Sequence, residues 1–195
     1  MKILETERLL LREATGNDAE FVLDLLNQPS FKKFIGDRGV RTSEQAREYI
    51  KTRFTSSYRD NGFGLYLVEL KSDETPVGLC GFVKRDTLPD PDIGFALLPQ
   101  FEKTGYGFES ANAVMRYGKE TLHLPRVLAI TSIDNENSGK LLEKIGFSFE
   151  REIDMGDEVL KLFSCELTTD VATNEQACID ERGLTTSLNT RPNRS

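Results

Sequence analysis

Histidine, cysteine and long hydrophobic runs are all scarce in this chain of 195 residues, and each scarcity excludes a class of function. The only histidine, His123, leaves little material for histidine catalysis or for a metal site built from several histidines. The three cysteines, Cys80, Cys165 and Cys178, form no Cys-x-x-Cys pair and no zinc-ligand spacing, so we expect reduced thiols. No segment approaches the roughly 20 apolar residues that span a bilayer. We therefore expect metal-free chemistry and no membrane segment.

Length, composition and charge indicate one soluble domain. A chain of 195 residues with 38% hydrophobic and 29% charged residues is typical of a globular protein. The net charge of −7, from 25 basic and 32 acidic residues, argues against a nucleic-acid partner. Residues 1–5 lack the apolar core of a signal peptide, so we expect a cytoplasmic protein. We assign residues 1–168 to the domain and 169–195, which contain no aromatic residue, to a polar tail or a short docking helix.

The hydrophobic pattern predicts an α/β (α+β) domain with a mixed, mostly antiparallel central sheet flanked by helices. Predicted strands cover residues 6–13, 64–70, 77–84, 93–98, 127–130, 147–153 and 159–167. Predicted helices begin at the capping pairs Asn17/Glu20 and Thr42/Gln45, and two more cover residues 105–120 and 135–145. Residues 31–39 are expected to form an irregular loop.

A glycine turn at residues 104–108 joins the strand 93–98 to the next helix, in the order Thr-Gly-Tyr-Gly-Phe. The unpaired N–H groups and the dipole of such a helix start bind anions, and glycine lets a pyrophosphate approach the backbone. An ordinary tight turn is the alternative interpretation. The segment is not a Walker loop, because no Gly-Lys-Ser/Thr follows it. It is not a dinucleotide fingerprint either, because Ser110 stands where a third glycine is needed.

A second segment, residues 134–147, follows the strand 127–131 about 30 residues further along the chain. Asn135 is a natural helix N-cap, and Ser138 stands three residues later. Both residues fall at the carboxyl end of a strand, where α/β sheets bind ligands. The two segments together, in this order, are more specific than either alone.

This combination resembles the GNAT superfamily of acetyl-CoA-dependent N-acetyltransferases, and in particular its RimJ/RimL branch, named for acetylation of ribosomal-protein N-termini. The opening Glu-Thr-Glu-Arg-Leu-Leu-Leu-Arg of residues 5–12 is similar to the first strand of that branch. Asp-Ile-Gly-Phe-Ala-Leu at 92–97 is similar to its central strand. Asn135-x-x-Ser138-x-x-Leu-Leu-Glu-Lys-x-Gly-Phe is similar to its late helix. The resemblance covers residues 5–167.

The resemblance implies acetyl-CoA as co-substrate, held where the fourth and fifth predicted strands, 93–98 and 127–131, splay apart. The pantetheine arm would pair with the backbone around Leu97 and be held by Asn135. The pyrophosphate would lie on the amides of the glycine turn, namely Thr104, Gly105, Tyr106, Gly107 and Phe108. Glu102 departs from the family, which commonly has arginine, glutamine or an aromatic residue there. Such a carboxylate weakens phosphate binding unless it turns to solvent or pairs with Lys103.

The implied chemistry is attack of a primary amine on the thioester, with a backbone N–H near Leu97 or Leu98 stabilising the oxyanion. Leu142 occupies the position of a tyrosine that many family members use to protonate the thiolate, so Ser138 is the candidate donor. Asp92 is the first choice of general base, directly or through water, although it is also an ordinary strand-end aspartate. Residues 31–41 are the expected acceptor wall.

The acceptor is expected to be a protein N-terminus or a small cationic amine, and the protein a monomer or a homodimer. The alternative is a non-catalytic module that binds CoA on the same fold. Release of free CoA in the presence of an amine would separate the two hypotheses. A hydrolase or oxidoreductase is disfavoured, because the chain has a single histidine and its glycine turn matches neither a Walker loop nor a dinucleotide fingerprint.

Overall fold

The computed structural model describes residues 1–156 and 158–167, which form a sheet of eight strands in the order β1-β2-β3-β4-β5-β6-β8-β7. The strands are β1 (Lys2–Glu5), β2 (Leu9–Arg12), β3 (Leu65–Leu70), β4 (Pro76–Val83), β5 (Asp92–Leu97), β6 (Arg126–Ser132), β7 (Ser148–Asp154) and β8 (Val159–Glu166). Neighbouring strands are antiparallel except for β5 and β6, which are parallel. The predicted mixed α/β fold is confirmed.

Helices cover both faces of this sheet. Those in the described residues are α1 (Ala19–Asn27), α2 (Pro29–Phe34), α3 (Ser43–Tyr49), α4 (Ser56–Asn61), α5 (Tyr106–Glu120) and α6 (Glu136–Lys144). A π-helical segment, Ile50–Thr55, joins α3 to α4, and 3₁₀ turns precede α1 at Gly16–Asp18 and follow β5 at Pro99–Phe101. Among the described residues, no helix has both the length and the apolar character required to cross a membrane.

The core has two layers because successive side chains of a strand point to opposite faces. In β3, Tyr66 and Val68 pack with residues of α5 and α6, whereas Leu67 packs with residues of α1 and α3. Covered on both faces, β3 and β4 are buried along most of their length. Such strands carry continuous apolar runs, and for this reason both could be predicted from the sequence.

Three predictions near the N-terminus were wrong. Residues 6–13 form only the short β2, and β1 pairs with it as an additional edge strand that is too short for its pattern to be recognised. Thr15, not Asn17, caps the first helical segment, and the Asp18 carboxylate accepts hydrogen bonds from its N–H and hydroxyl groups. Residues 31–39 are not wholly irregular, because Pro29 at the first helical position starts α2. The pair Thr42/Gln45 caps α3 as predicted.

The parallel strands β5 and β6 pair only where they begin. Asp92 and Leu128 form their one register pair, and the Leu128 N–H donates to the Pro91 carbonyl at 2.9 Å. Beyond this point β6 pairs with β8 along its whole length, and β5 with β4. The sheet therefore opens between the fourth and fifth predicted strands, as expected. The predicted tail at 169–195, including Cys178, lies outside the described residues.

Candidate active site

A cleft of about 1390 Å³ begins at the opening between β5 and β6. Its walls include Gly94 to Leu97 of β5 and Ala129 to Ser132 of β6, with α6 at one side. Phe95, Ala96 and Leu97 are only half-buried, although they belong to a central strand. A central strand is normally flanked by two neighbours, so this exposure reflects the missing contact with β6. Among residues 1–156 and 158–167, therefore, the edge of β5 beyond Asp92 has no partner strand and is open to a ligand.

The backbone of β5 distinguishes the two predicted oxyanion donors. The Leu98 N–H donates to the Val77 carbonyl of the β4 side at 2.9 Å, and Leu98 does not line the cleft. N–H groups of successive strand residues point to opposite edges, so the N–H of Leu97 points towards the opening. The prediction for Leu98 is therefore corrected: its N–H is already used by the sheet. Leu97 lines the cleft and stays the candidate.

The glycine turn lies at the end of β5 and begins α5. Gly105 is the N-cap with φ of 88°, a left-handed conformation that glycine adopts without strain. Its carbonyl accepts the first helical bond, from Glu109 N–H at 3.0 Å. The five predicted anion-binding residues, 104–108, make no hydrogen bond through their N–H groups within the described part of the chain. The turn thus presents a run of free donors, and Gly107 also lines the cleft.

Side chains around the turn carry charge of both signs. Glu102 and Lys103 are exposed and line this end of the cleft, and no ion pair joins them in the described residues. The carboxylate of Glu102 is therefore open to solvent rather than paired with Lys103. Tyr106 lies beneath the Arg8 guanidinium, 4.5 Å from it, and Phe108 lies beneath the Lys144 ammonium at 4.3 Å. Both rings are partly buried and pack against the core beneath the turn.

The start of α6 brings the two predicted polar residues to the cleft. Asn135 caps the helix, its Oδ1 accepting from the Ser138 N–H at 3.1 Å, and both side chains line the cleft. This cap leaves the amide NH₂ of Asn135 and the hydroxyl of Ser138 without a partner within the described residues. Leu142, one turn further on, is 1% exposed and also borders the cleft.

Asp92, the predicted base, lies where β5 and β6 still pair. Its side chain is 2% exposed, and its Oδ1 accepts from Arg85 Nε at 2.8 Å. Burial raises the pKa of the Asp92 carboxyl above its ordinary value of 3.8, and the Arg85 charge and hydrogen bond oppose this rise only in part. A raised pKa in a cleft is typical of functional carboxylates, and structural ion pairs share it.

Several residues at the cleft were not singled out from the sequence. Arg85 is one, because nothing in the loop after β4 indicates that its side chain returns to Asp92. Thr131 and Ser132 are two more: their hydroxyl oxygens on β6 are buried and have no partner within residues 1–156 and 158–167. Alternation along a strand shows which side chains share a face, but gives no sign of which face borders a cleft.

The other end of the cleft lies under the first helices. Of the predicted acceptor wall, Phe31, Phe34, Ile35, Asp37, Arg38 and Val40 line it. Residues of α3 and the following π-helical segment extend this wall, and Met155, Glu158 and Leu160 approach from the β7–β8 hairpin. This end carries acidic and basic side chains, whereas the end near β5 is a strand edge.

Comparison with known proteins identifies the family. Residues 8–148 match the family described as Acetyltransferase (GNAT) domain. The chain is 31% identical over 149 residues to the uncharacterized N-acetyltransferase YoaA of Bacillus subtilis, covering 76% of this chain and 84% of that protein. It is 25% identical over 152 residues to the [ribosomal protein uS5]-alanine N-acetyltransferase of Escherichia coli, covering 75% and 78%.

Solved structures agree with this assignment. A GNAT-family acetyltransferase from Bacillus anthracis superimposes with a TM-score of 0.71 at 26% identity, covering 86% of this chain and 99% of that one. The spermidine N-acetyltransferase of Vibrio cholerae, solved with CoA and spermine, has the same fold, with a TM-score of 0.68 at 17% identity and coverage of 83% and 97%. Together with the opened sheet and the glycine turn, these matches show that the chain belongs to the GNAT acetyltransferases and is an N-acetyltransferase.

Proposed function

We propose that this enzyme transfers the acetyl group of acetyl-CoA to a primary amine by direct attack on the thioester. The observation that carries the proposal is the unpaired edge of β5, which runs from the buried Asp92 towards the free amides of the glycine turn. A pantetheine arm is an extended chain with two amides, and an open strand edge supplies the donors and acceptors that match it. The turn supplies the donors for a pyrophosphate.

In this arrangement the thioester lies beside Leu97, and the pyrophosphate lies on the N–H groups of Thr104, Gly105, Tyr106, Gly107 and Phe108. The free NH₂ of Asn135 holds the arm from the α6 side, since its oxygen is already used in the cap. The Leu97 N–H, which points into the opening, stabilises the oxyanion that forms when the amine attacks. Leu98 takes no part in this, because its N–H is bound to Val77.

Proton transfer completes the reaction. The acceptor ammonium first loses a proton towards Asp92 along a chain of water molecules, because the carboxylate is nearly inaccessible and lies five residues, roughly 16 Å of strand, before Leu97. The neutral amine then forms the C–N bond, the C–S bond breaks with its electron pair going to sulfur, and the remaining extra proton of the nitrogen passes to the CoA thiolate, which gives the amide and free CoA. Ser138, free at the start of α6, donates a hydrogen bond to this sulfur and helps its protonation. The buried Leu142 has no proton to donate at its position.

The acceptor class is a protein N-terminus or a small cationic amine. Charge at the end of the cleft under the first helices does not choose between the two, because Asp37, Glu48 and Asp60 are already paired with Arg41, Lys51 and Arg59. The two relatives with named acceptors support this range, since one acts on a ribosomal-protein alanine and the other is a spermidine acetyltransferase. Both acceptors present a primary amine.

The test is thiol release from acetyl-CoA with a panel of N-terminal peptides and polyamines. Asn135→Ser keeps a capping oxygen but removes the NH₂ donor, so we expect kcat/KM to fall roughly tenfold, the worth of one hydrogen bond. The control is Asn112→Ala on the exposed face of α5, which should leave the rate unchanged. Binding of CoA without thiol release for any amine would instead favour a non-catalytic module.

A further inference from the structure

Arg8 lies in the connection between β1 and β2, yet its side chain reaches the glycine turn almost a hundred residues later. Its Nη1 donates to the Thr104 carbonyl at 3.2 Å. Its Nε donates to Glu109 Oε2 at 2.7 Å, and its Nη2 lies 2.6 Å from the same oxygen. One guanidinium therefore joins the residue before Gly105 to the first turn of α5.

Glu109 is itself held firmly from the β1–β2 connection. Its Oε1 accepts from the Thr6 hydroxyl at 2.6 Å and from the Arg8 N–H at 2.9 Å. Burial alone raises the pKa of Glu109, but these hydrogen bonds and the Arg8 charge outweigh it and hold the pKa below its ordinary value. The carboxylate therefore stays charged at neutral pH and fixes the Arg8 side chain.

The contact with Thr104 determines which way the next amide points. In a trans peptide unit the C=O and the N–H point in opposite directions. Because Arg8 holds the Thr104 oxygen on one side, the Gly105 N–H of the same peptide unit points to the other side. One further contact keeps the guanidinium in place, because it stacks on the Tyr106 ring. The guanidinium also lies close to the turn, since a Cβ added at Gly105 would come within 3.2 Å of its Nη2.

We infer that Arg8 is a positioning residue that holds the glycine turn in its phosphate-binding form. The inference rests on the proposed function, because the phosphates are those of acetyl-CoA. Arg8 acts through the backbone, by fixing the Thr104–Gly105 peptide before the ligand arrives. Preorganised donors avoid the cost of ordering the turn on binding, so the expected effect is on CoA affinity and not on the chemical step.

The experiment measures the dissociation constant of CoA by calorimetry for the wild type, Arg8→Gln and Arg8→Lys. We expect it to rise roughly twofold to fivefold in both variants, as for the loss of a half-exposed charged contact. Lysine keeps the charge but has no planar fork, so it cannot hold Thr104 and Glu109 together. In turnover, KM for acetyl-CoA should rise while kcat stays unchanged. If Arg8 had only a structural role, its variants would lower the melting temperature of the free protein without raising KM for acetyl-CoA at unchanged kcat.

Two further variants keep the test interpretable. Glu109→Gln retains an amide oxygen for Thr6 but loses the ion pair with Arg8, so we expect a smaller rise in the same direction. Lys71→Gln is the matched control, because Lys71 contacts Glu5 and the Thr6 carbonyl without reaching the turn. Unchanged CoA affinity in both Arg8 variants, or full rescue by lysine, would overturn the inference. Failure of the wild type to bind CoA would refute the proposed function instead.

Discussion

At the scale of single residues, Asp92 is buried and paired with Arg85, and both residues line the cleft. Burial raises the pKa of Asp92 above 3.8, so its carboxylate binds a proton more readily in the folded protein than in the unfolded chain. A base works only when it is deprotonated. We therefore expect kcat/KM to fall as the pH drops through this raised pKa. Asp92→Asn should remove that dependence and lower kcat/KM by about 10²- to 10⁴-fold.

The check is a pH profile of kcat/KM for the acceptor, measured at saturating acetyl-CoA, for the wild type and Asp92→Asn. Asp86→Asn is the matched control, since Asp86 is exposed in the loop between β4 and β5 and does not line the cleft. An unchanged profile in Asp92→Asn would show that Asp92 is only the structural partner of Arg85. In that case a variant at Arg85 would affect the melting temperature rather than the rate.

At the scale of elements, the glycine turn depends on a backbone conformation as much as on its amides. Gly105 has φ of 88°, and an added Cβ would approach Arg8 Nη2 to 3.2 Å. Gly105→Ala should cost about 1–2 kcal/mol of unfolding free energy and weaken CoA binding. Gly62→Ala provides the comparison, because Gly62 has φ of 75° and no neighbour within 4 Å of a Cβ. Chemical denaturation of both variants should show the cost of a positive φ, and CoA titration should show a loss of affinity only for Gly105→Ala.

The sequence predicted the elements that have strong local signals. Thr42/Gln45 and Asn135 mark helix starts through hydrogen bonds within four residues, and the structure contains both caps. The central strands were found because apolar runs persist where both faces are covered. The edge strand β1 was missed because its four residues carry no periodicity of their own.

Contacts across the chain could not be predicted in the same way. Arg85 with Asp92, and Arg8 with Glu109 and Thr104, depend on which loops meet in three dimensions. The same limit explains Leu98: the strand was predicted correctly, but which of two neighbouring N–H groups faces β4 follows from the pairing register. Pairing register is a tertiary property that the sequence does not show. An error of one residue in the register therefore replaces an N–H group that is free with one that is already bonded to the neighbouring strand.

At the scale of the whole molecule, the sheet consists of two parts that meet at a single register pair. Strands β1 to β5 form one part and β6 to β8 the other, and Asp92 with Leu128 is their one bridge in the described residues. Helix α5 packs on the first part and α6 on the second, and the two helices contact each other. A ligand in the cleft adds contacts to both parts where the backbone provides none.

Acetyl-CoA should therefore stabilise the entire fold and not only the glycine turn. A ligand at 100 times its dissociation constant adds about 2.7 kcal/mol, which corresponds to a rise of roughly 5–10 °C in melting temperature for a domain of this size. Hydrogen exchange should slow along both walls, at Phe95 and Leu97 on β5 and at Ile130 on β6, because the ligand occludes the opening. Protection of the turn alone would place only the phosphates in the site. No shift at saturating acetyl-CoA would mean that the opening between β5 and β6 does not accept the pantetheine arm.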